Sequence, residues 1–555
     1  MQKVTKKFLS KWINEVTNKI KLIGKIFFQT LKKIKISKIF IFIFFTLTLI
    51  CLFLYNYINE NFYNVTLEQL LFSIKMSEGT SSSVIVEGAK YIIFRVLIVY
   101  LILFLIALII KKTRKKHASI NLYIRNKKIK LSILPFSNGF KVFACFALLL
   151  VSVYYCASGF EVFAYLDNTE SKEDFFKDNY VDGRNVKIKA PKEKQNIIYI
   201  YVESLESSMV TSKNKGAFSK KVIPNLEHLA SNNINFSNNS KIGGAHMPYG
   251  ASWTIAGMVA SSAGIPLKLS NIDSNGYSGY GEFLPGAYTL GEVLEDNGYS
   301  NYLFIGSDAN FGGRKDYFTY HGNYKIYDLI YARQHGWVDE DYYVWWGLED
   351  SKLFDHAKEE LKKIASKDEP FNFTMLTTGT HFTDGFVEDE CKKPFDTKYL
   401  NAYHCSDELI GNFINWLKKQ DFYDNTTIVI TGDHLTMQAN ITDMFEINNP
   451  SNYERTVYNT IINSKAKTEN TKNREFTTFD FYPTVLASLG FQIQGDRLGL
   501  GTNLFSNMPT ITEEIGMKKL DKELKQKSNY YEKHFLNNID KKVSNKMSAS
   551  TSTSS

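Results

Sequence analysis

No Cys-x-x-Cys pair and no cluster of histidines occurs among the 5 Cys and 10 His of this 555-residue sequence, which removes the ligand patterns of a structural zinc site. No internal repeat is present, which excludes a fold stacked from repeated units. Residues 111–141 hold ten Lys or Arg and no acid, and residues 1–38 hold eleven Lys opposed by Glu15 alone. Three stretches, 38–58, 91–110 and 142–160, carry almost no charge. Each has the ~17–25 residues a helix needs to cross a bilayer, so a simple soluble enzyme is excluded. A hydrophobic share of 44% with 14% aromatics excludes a wholly disordered chain.

The net charge of +9 is a topology signal rather than a nucleic-acid footprint. Loop 57–90 reverses the basic balance, with Glu60, Glu68, Glu78 and Glu87 against Lys75 and Lys90, and the chain after the third stretch is acid-rich by about ten charges. Positive loops stay in the cytoplasm. The pattern therefore predicts the N-terminus inside, loop 57–90 outside, loop 111–141 inside, and everything after the third span exported. The 37-residue polar leader and the lack of a small-residue cleavage pattern make the first span an anchor rather than a cleaved signal. Ahead of it, Phe8, Trp12, Val16, Ile20, Ile23 and Phe27 recur at helical spacing among lysines. That reads either as an interfacial amphipathic helix on anionic lipid or as a helix packed on the membrane bundle. Cys51, Cys145 and Cys156 fall in the spans, leaving Cys391 and Cys405 as an even pair in an oxidising compartment, where a disulfide is expected.

The expected organisation is a membrane domain over 1–160, a charged linker over 161–194, a catalytic domain over 195–506, and a basic helical segment with a disordered tail over 507–555. Within 195–506, short β-rich runs alternate with amphipathic stretches, the pattern of an α/β domain with a mainly parallel sheet. Strands are predicted at 196–202, 301–305, 371–376 and 427–430, and helices at 225–231, 289–297, 351–366, 401–419 and 479–489. The four strands run into Glu203, Asp308, His381 and Asp433-His434. Ligands of open α/β sheets bind outside the carboxyl ends of the strands, so these side chains are expected around one crevice.

Glu203, Asp433 and His434 offer two carboxylates and an imidazole, a set suited to Mn²⁺, Mg²⁺ or Zn²⁺, its oxygen-rich part favouring the harder ions. For Asp433-His434 the plainer reading is a turn with Asp capping a helix. A nucleophile has a candidate place in the glycine-rich run 243–254, which opens the apolar stretch 255–260 and puts Ser252 or Thr254 at a helix start. The unsatisfied N–H groups there form an anion site, and a nearby divalent cation would make the hydroxyl nucleophilic; an ordinary N-cap is the plainer alternative.

At this point the motifs carry a resemblance. Ile223-Pro224-Asn225-Leu226-Glu227-His228-Leu229-Ala230, Thr431-Gly432-Asp433-His434 and the run from Asp480 to Gly490 resemble signatures of the alkaline phosphatase and sulfatase superfamily. The runs 253–261 and Gly264-Ile265-Pro266-Leu267 narrow it to the bacterial phosphoglycerol transferases that modify periplasmic glucans, relatives of lipoteichoic acid synthase. The resemblance covers roughly 195–505. It implies N-terminal transmembrane helices followed by a doubly wound α/β domain, with Thr254 as a metal-bound nucleophile and Glu203, Asp433 and His434 as the other metal ligands. It further implies that His381 contacts the phosphoryl group or its oxygens and that Arg314 binds substrate; Asp308 receives no role. Phosphatidylglycerol would be the donor, a periplasmic glucan or other cell-surface glycan the acceptor, and the bacterial cytoplasmic membrane the location, with the catalytic domain periplasmic or extracellular.

The rival readings are a phosphoethanolamine transferase acting on a cell-surface glycan or lipid A, a lipoteichoic-type polymerase, and an anchored glycan-binding domain that keeps the fold without the activity. A sulfatase proper is disfavoured by the lack of a Cys/Ser-x-Pro-x-Arg motif near the nucleophile loop. Trp337, Trp345 and Trp346 read either as core or as platforms for sugar rings.

Overall fold

The computed structural model describes residues 35–62, 65, 67–75, 82–113, 119–124, 127–132, 137–163, 175–268 and 282–536. The amphipathic stretch 8–27 and the tail beyond 536 lie outside the described residues. Two compact units divide the chain, one of residues 1–58 and 82–163, the other of 59–81 and 164–555.

Among the described residues, the first unit holds three helices long and apolar enough to span a bilayer. They are α1 (Ile36–Asn61), α3 (Ser82–Thr113) and α4 (Asn138–Gly159), whereas the short α2 (Leu67–Lys75) belongs to the second unit. Helix α1 is rich in Phe and β-branched residues and yet helical, because in lipid a helix satisfies every backbone N–H and C=O within the segment. Hydroxyls of Thr46 on α1 and Tyr100 on α3 lie 2.6 Å apart. Strands at Ser119–Ile124 and Lys127–Ser132 pair as an antiparallel hairpin where the sequence reading had only a loop.

The second unit is built on a seven-stranded sheet. Its strands are β1 (Asn196–Val202), β2 (Gly244–Ala245), β3 (Ser300–Ile305), β4 (Lys325–Tyr327), β5 (Phe371–Leu376), β6 (Thr426–Gly432) and β7 (Val457–Ile462), in the spatial order β2-β7-β6-β1-β5-β3-β4. The five strands from β6 to β4 are parallel; β7 runs antiparallel to β6, and β2 to β7. Alternation on β1 sends Ile197, Tyr199 and Tyr201 into one core and Ile198, Ile200 and Val202 into the other. The first core is covered by α6 (Thr254–Ala263), α7 (Leu290–Asp296) and α11 (Phe481–Ser488), and α8 (Arg314–Tyr320) lies on the same side. The second core is covered by α5 (Pro224–Asn232), α9 (Asp350–Ala365) and α10 (Lys398–Leu417). Burial on both faces is why these strands read as unbroken apolar runs.

The register decides where the chemistry collects. Val202 pairs with Gly432, and Tyr201 with Leu376, so the residues following β1, β5 and β6 emerge side by side. Cys391 and Cys405 form the expected disulfide, tying the loop after His381 to α10.

Part of the stretch expected as a linker is packed instead. Phe176 is fully buried, with ring centroids 5.2 Å from Tyr531 and 6.5 Å from Phe535. The basic segment after 506 is likewise folded onto the first core: Leu520 and Leu524 of α12 (Met517–Lys525) bury one face at helical spacing while the lysines stay out.

Candidate active site

Strand β1 ends in a turn at Ser204, whose backbone lies in the left-handed region (φ 57°). Its amide donates to Asp433 Oδ1 at 2.7 Å and its hydroxyl to Glu203 Oε1 at 2.7 Å, so one residue ties the two acidic loops together. Asp433 and His434 follow β6, and the His434 amide also donates to Asp433 Oδ1, at 2.9 Å. Glu203, Asp433 and His434 are buried, and their ligand atoms lie within 4.8 Å of one another.

Helix α6 brings the hydroxyl. Trp253 is its N-cap, with no side-chain hydrogen bond to the helix, and Thr254 is the first helical residue. Thr254 Oγ1 is 3.3 Å from Glu203 Oε2 and 3.5 Å from His434 Nε2; of Ser252 and Thr254, Thr254 therefore reaches the cluster. The helix is seated by Ser261, which meets Tyr201 of β1 at 2.9 Å, and by Ser262, which meets Tyr317 of α8 at 2.7 Å. Gly257 lies so close to the loop that an added Cβ would sit 1.9 Å from the Asp433 carbonyl oxygen.

The donor set fits a divalent cation. His434 Nδ1 donates to the Leu435 carbonyl at 2.8 Å, leaving the Nε2 lone pair aimed at the carboxylates, 3.4 Å from both Glu203 Oε1 and Asp433 Oδ2. Asp433 Oδ2 is buried without a hydrogen-bond donor among the described residues. Burial and the charge of Glu203 push Asp433 up to about 7. Burial would raise Glu203 too, but the His434 and His381 imidazoles outweigh it and hold its pKa below the usual range. His434 is raised: burial opposes its charge, and Asp433 and Glu203 overcome that.

His381 follows β5, its Nδ1 donating to the Phe382 carbonyl at 2.6 Å and its ring 4.4 Å from that of Trp346. Burial lowers its pKa against the pull of Glu203. Arg314 opens α8 after two left-handed glycines, Gly312 and Gly313. It is buried, donates from Nη2 to the Asp308 carbonyl at 2.8 Å, and is held at about 10 by burial despite the attraction of Glu203, Asp308, Asp328 and Asp433. The Asp308 carboxylate accepts the Asn310 amide at 2.8 Å, so it shapes the turn ahead of Arg314 rather than joining the cluster. Of the tryptophans, Trp337 is stacked against Phe304 and His356, while Trp346 lies between His381 and Phe311.

Sequence reasoning missed the buried Glu206–Arg455 ion pair. Glu206 also accepts the Thr436 amide at 2.8 Å, and Arg455 donates to the Thr436 carbonyl at 2.8 Å, which fixes the chain just past His434. The pair is 249 residues apart in sequence, and no local pattern joins its members.

Residues 195–491 match the family model described as Sulfatase. The chain belongs to the sulfatase family. Among curated proteins, phosphoglycerol transferase I of Xanthomonas campestris pv. campestris is 35% identical over 257 residues, 45% of this chain and 35% of the relative. Phosphoglycerol transferase I of Escherichia fergusonii is 33% identical over 256 residues, 44% of this chain and 32% of the relative. The aligned part of this sulfatase-family chain spans about a third of the length of those relatives. Among solved structures, the lipoteichoic acid synthase LtaP from Listeria monocytogenes aligns with a TM-score of 0.43 and 20% identity, covering 58% of this chain and 79% of that one. The lipooligosaccharide phosphoethanolamine transferase A from Neisseria meningitidis aligns with a TM-score of 0.45 and 13% identity, covering 80% and 83%.

Proposed function

We propose that the chain is a membrane-anchored phosphotransferase that moves glycerol phosphate from phosphatidylglycerol to a periplasmic glucan or another cell-surface glycan, with Thr254 as nucleophile. Family membership gives the fold; the reaction is argued from the site. The observation that carries the reading is the Thr254 hydroxyl at 3.3 Å from Glu203 and 3.5 Å from His434, on the rim of a buried two-carboxylate, one-imidazole cluster. The phosphoglycerol transferases among its relatives support the choice of group transferred.

Glu203, Asp433 and His434 would hold the cation, Mn²⁺ or Mg²⁺ ahead of Zn²⁺ by their oxygen content. When bound, it neutralises phosphate charge and lowers the pKa of a coordinated hydroxyl. Thr254 Oγ1 attacks phosphorus, the bond to the diacylglycerol oxygen breaks, and diacylglycerol leaves as the alcohol after taking up a proton. The glycerophospho-threonine is then resolved by an acceptor hydroxyl, which forms the new phosphodiester and returns the proton to Thr254. With Nδ1 committed to Phe382, His381 offers Nε2 as the group that carries protons to and from these oxygens. Arg314, buried in the field of Glu203 and Asp433, would supply positive charge to the phosphoryl oxygens.

The proposed topology keeps the N-terminus in the cytoplasm and the α/β unit outside the cytoplasmic membrane. The charge asymmetry of the loops supports it. The packing of α2 with the α/β unit also supports it, since both must then lie on one side of the bilayer.

The test uses full-length protein with headgroup-labelled phosphatidylglycerol. Thr254→Ala is expected to fold, insert and release no diacylglycerol; undiminished release defeats the mechanism. Supplying labelled donor with defined glycans identifies the acceptor.

A further inference from the structure

Phe62 and α2 group with the α/β unit, and their side chains reach the loops around the cluster. Phe62, the residue directly after α1, forms a backbone bridge with Gln438, and its ring lies 5.0 Å edge-on from Phe382. Phe382 is in turn stacked on His381 at 4.7 Å and accepts its Nδ1 hydrogen. Gln438 clasps the same loop, exchanging hydrogen bonds with Asp384 at 2.9 and 3.0 Å. Gln69 is buried and donates from Nε2 to the Met437 sulfur at 2.8 Å, three residues past His434. Phe72, also buried, lies 5.5 Å from the ring of Trp253, the residue just ahead of Thr254. Glu68 is buried beside them, in the field of Lys268 and Lys525.

Three side chains of one short segment thus each touch a neighbour of a different site residue: Trp253 beside Thr254, Phe382 beside His381, Met437 near His434. We propose that Phe62, Gln69 and Phe72 are positioning residues that brace the active site by holding those three loops in mutual register. The inference rests on the reading of Thr254 as nucleophile. It differs from ordinary packing in its consequence. Loss of a brace displaces the attacking oxygen without removing a ligand or a donor contact, so it falls on turnover rather than on binding. A displacement of about 1 Å costs on the order of 10²-fold in rate.

The experiment uses full-length protein in phosphatidylglycerol-containing micelles. For Phe72→Ala and Phe62→Ala, kcat is expected to fall by roughly 10- to 100-fold, with the donor KM and the calorimetric Mn²⁺ affinity within about threefold of wild type. Phe72→Tyr, which keeps the ring, is expected to restore at least half of the turnover. Wild-type kcat in both alanine variants, or a raised KM at unchanged kcat, overturns the brace. Thr254→Ala, measured alongside, separates the two readings. An idle wild type or an active Thr254→Ala defeats the assigned reaction, whereas active alanine variants beside an inactive Thr254→Ala defeat the brace alone.

Should the alanine variants not fold, the pair Gln69→Cys with Met437→Cys decides. A fixed brace is expected to cross-link on mild oxidation and to keep turnover within twofold of its reduced form. Absence of the cross-link in peptide maps, or a loss of turnover that reductant reverses, overturns it.

Discussion

Gly257→Ala tests how Thr254 is placed. The glycine is in the first turns of α6, and a Cβ there would stand 1.9 Å from the Asp433 carbonyl oxygen and 2.7 Å from its carbon. Ordinary contact begins near 3.4 Å, so helix and loop must separate by about 1.5 Å. Neither side yields easily: the obstacle is backbone, and α6 is held by Ser261 on Tyr201 and Ser262 on Tyr317. Overpacking of this kind costs about 1–3 kcal/mol of stability. The separation moves the helix that carries Thr254 away from the loop that carries His434, and a misplacement of that size lowers kcat on the order of 10²-fold. Diacylglycerol release by the full-length variant, measured beside its melting curve, reads both effects. A Gly257→Ala protein with wild-type kcat would refute the idea that the α6–Asp433 contact sets the nucleophile.

Two further outcomes are expected. His381 is lowered from 6.5 chiefly by burial, so its ring stays neutral as pH falls through 6.5. At saturating Mn²⁺, which would hold Asp433 and His434 deprotonated, turnover that needs Nε2 unprotonated is therefore kept there and lost only at lower pH, and the acid limb of kcat should lie below 6.5 and vanish in the residual activity of His381→Gln; a limb above 6.5 contradicts this. The Cys391–Cys405 bridge closes a loop across 14 residues, so replacing both with Ser is expected to destabilise the α/β unit by about 3 kcal/mol. Urea unfolding in oxidising buffer checks it, and identical midpoints for the two proteins would contradict it.

What the sequence disclosed followed from local pattern. Residues 196–202 and 371–376 are apolar runs closed by polar residues and form β1 and β5 with those bounds. Each of the ligand-bearing turns follows its strand directly, which is why Glu203, Asp433 and His434 were readable as neighbours. Strand β7 was missed because Asn459 and Thr460 interrupt its apolar run. The Asn459 side chain is accommodated by the Phe236 backbone, which it meets at 2.8 and 3.0 Å, a partner 223 residues away. Within loop 57–90, helix α2 escapes a local reading for a related reason: Phe72 and Gln69 take their meaning from Trp253 and Met437, which no short-range period can announce. Asp308 was placed in the crevice by analogy with its fellow strand-end residues, but an Asp two residues ahead of Asn310 serves its own turn instead.

The packing of Phe176 against Tyr531 and Phe535 has a bearing on biogenesis. Phe176 waits for a clasp synthesised about 350 residues later. Until Tyr531 and Phe535 have left the ribosome, Phe176 lacks two of the rings that cover it. Vectorial synthesis therefore delivers this unit open at that seam, and its closure follows translation of Tyr531 and Phe535.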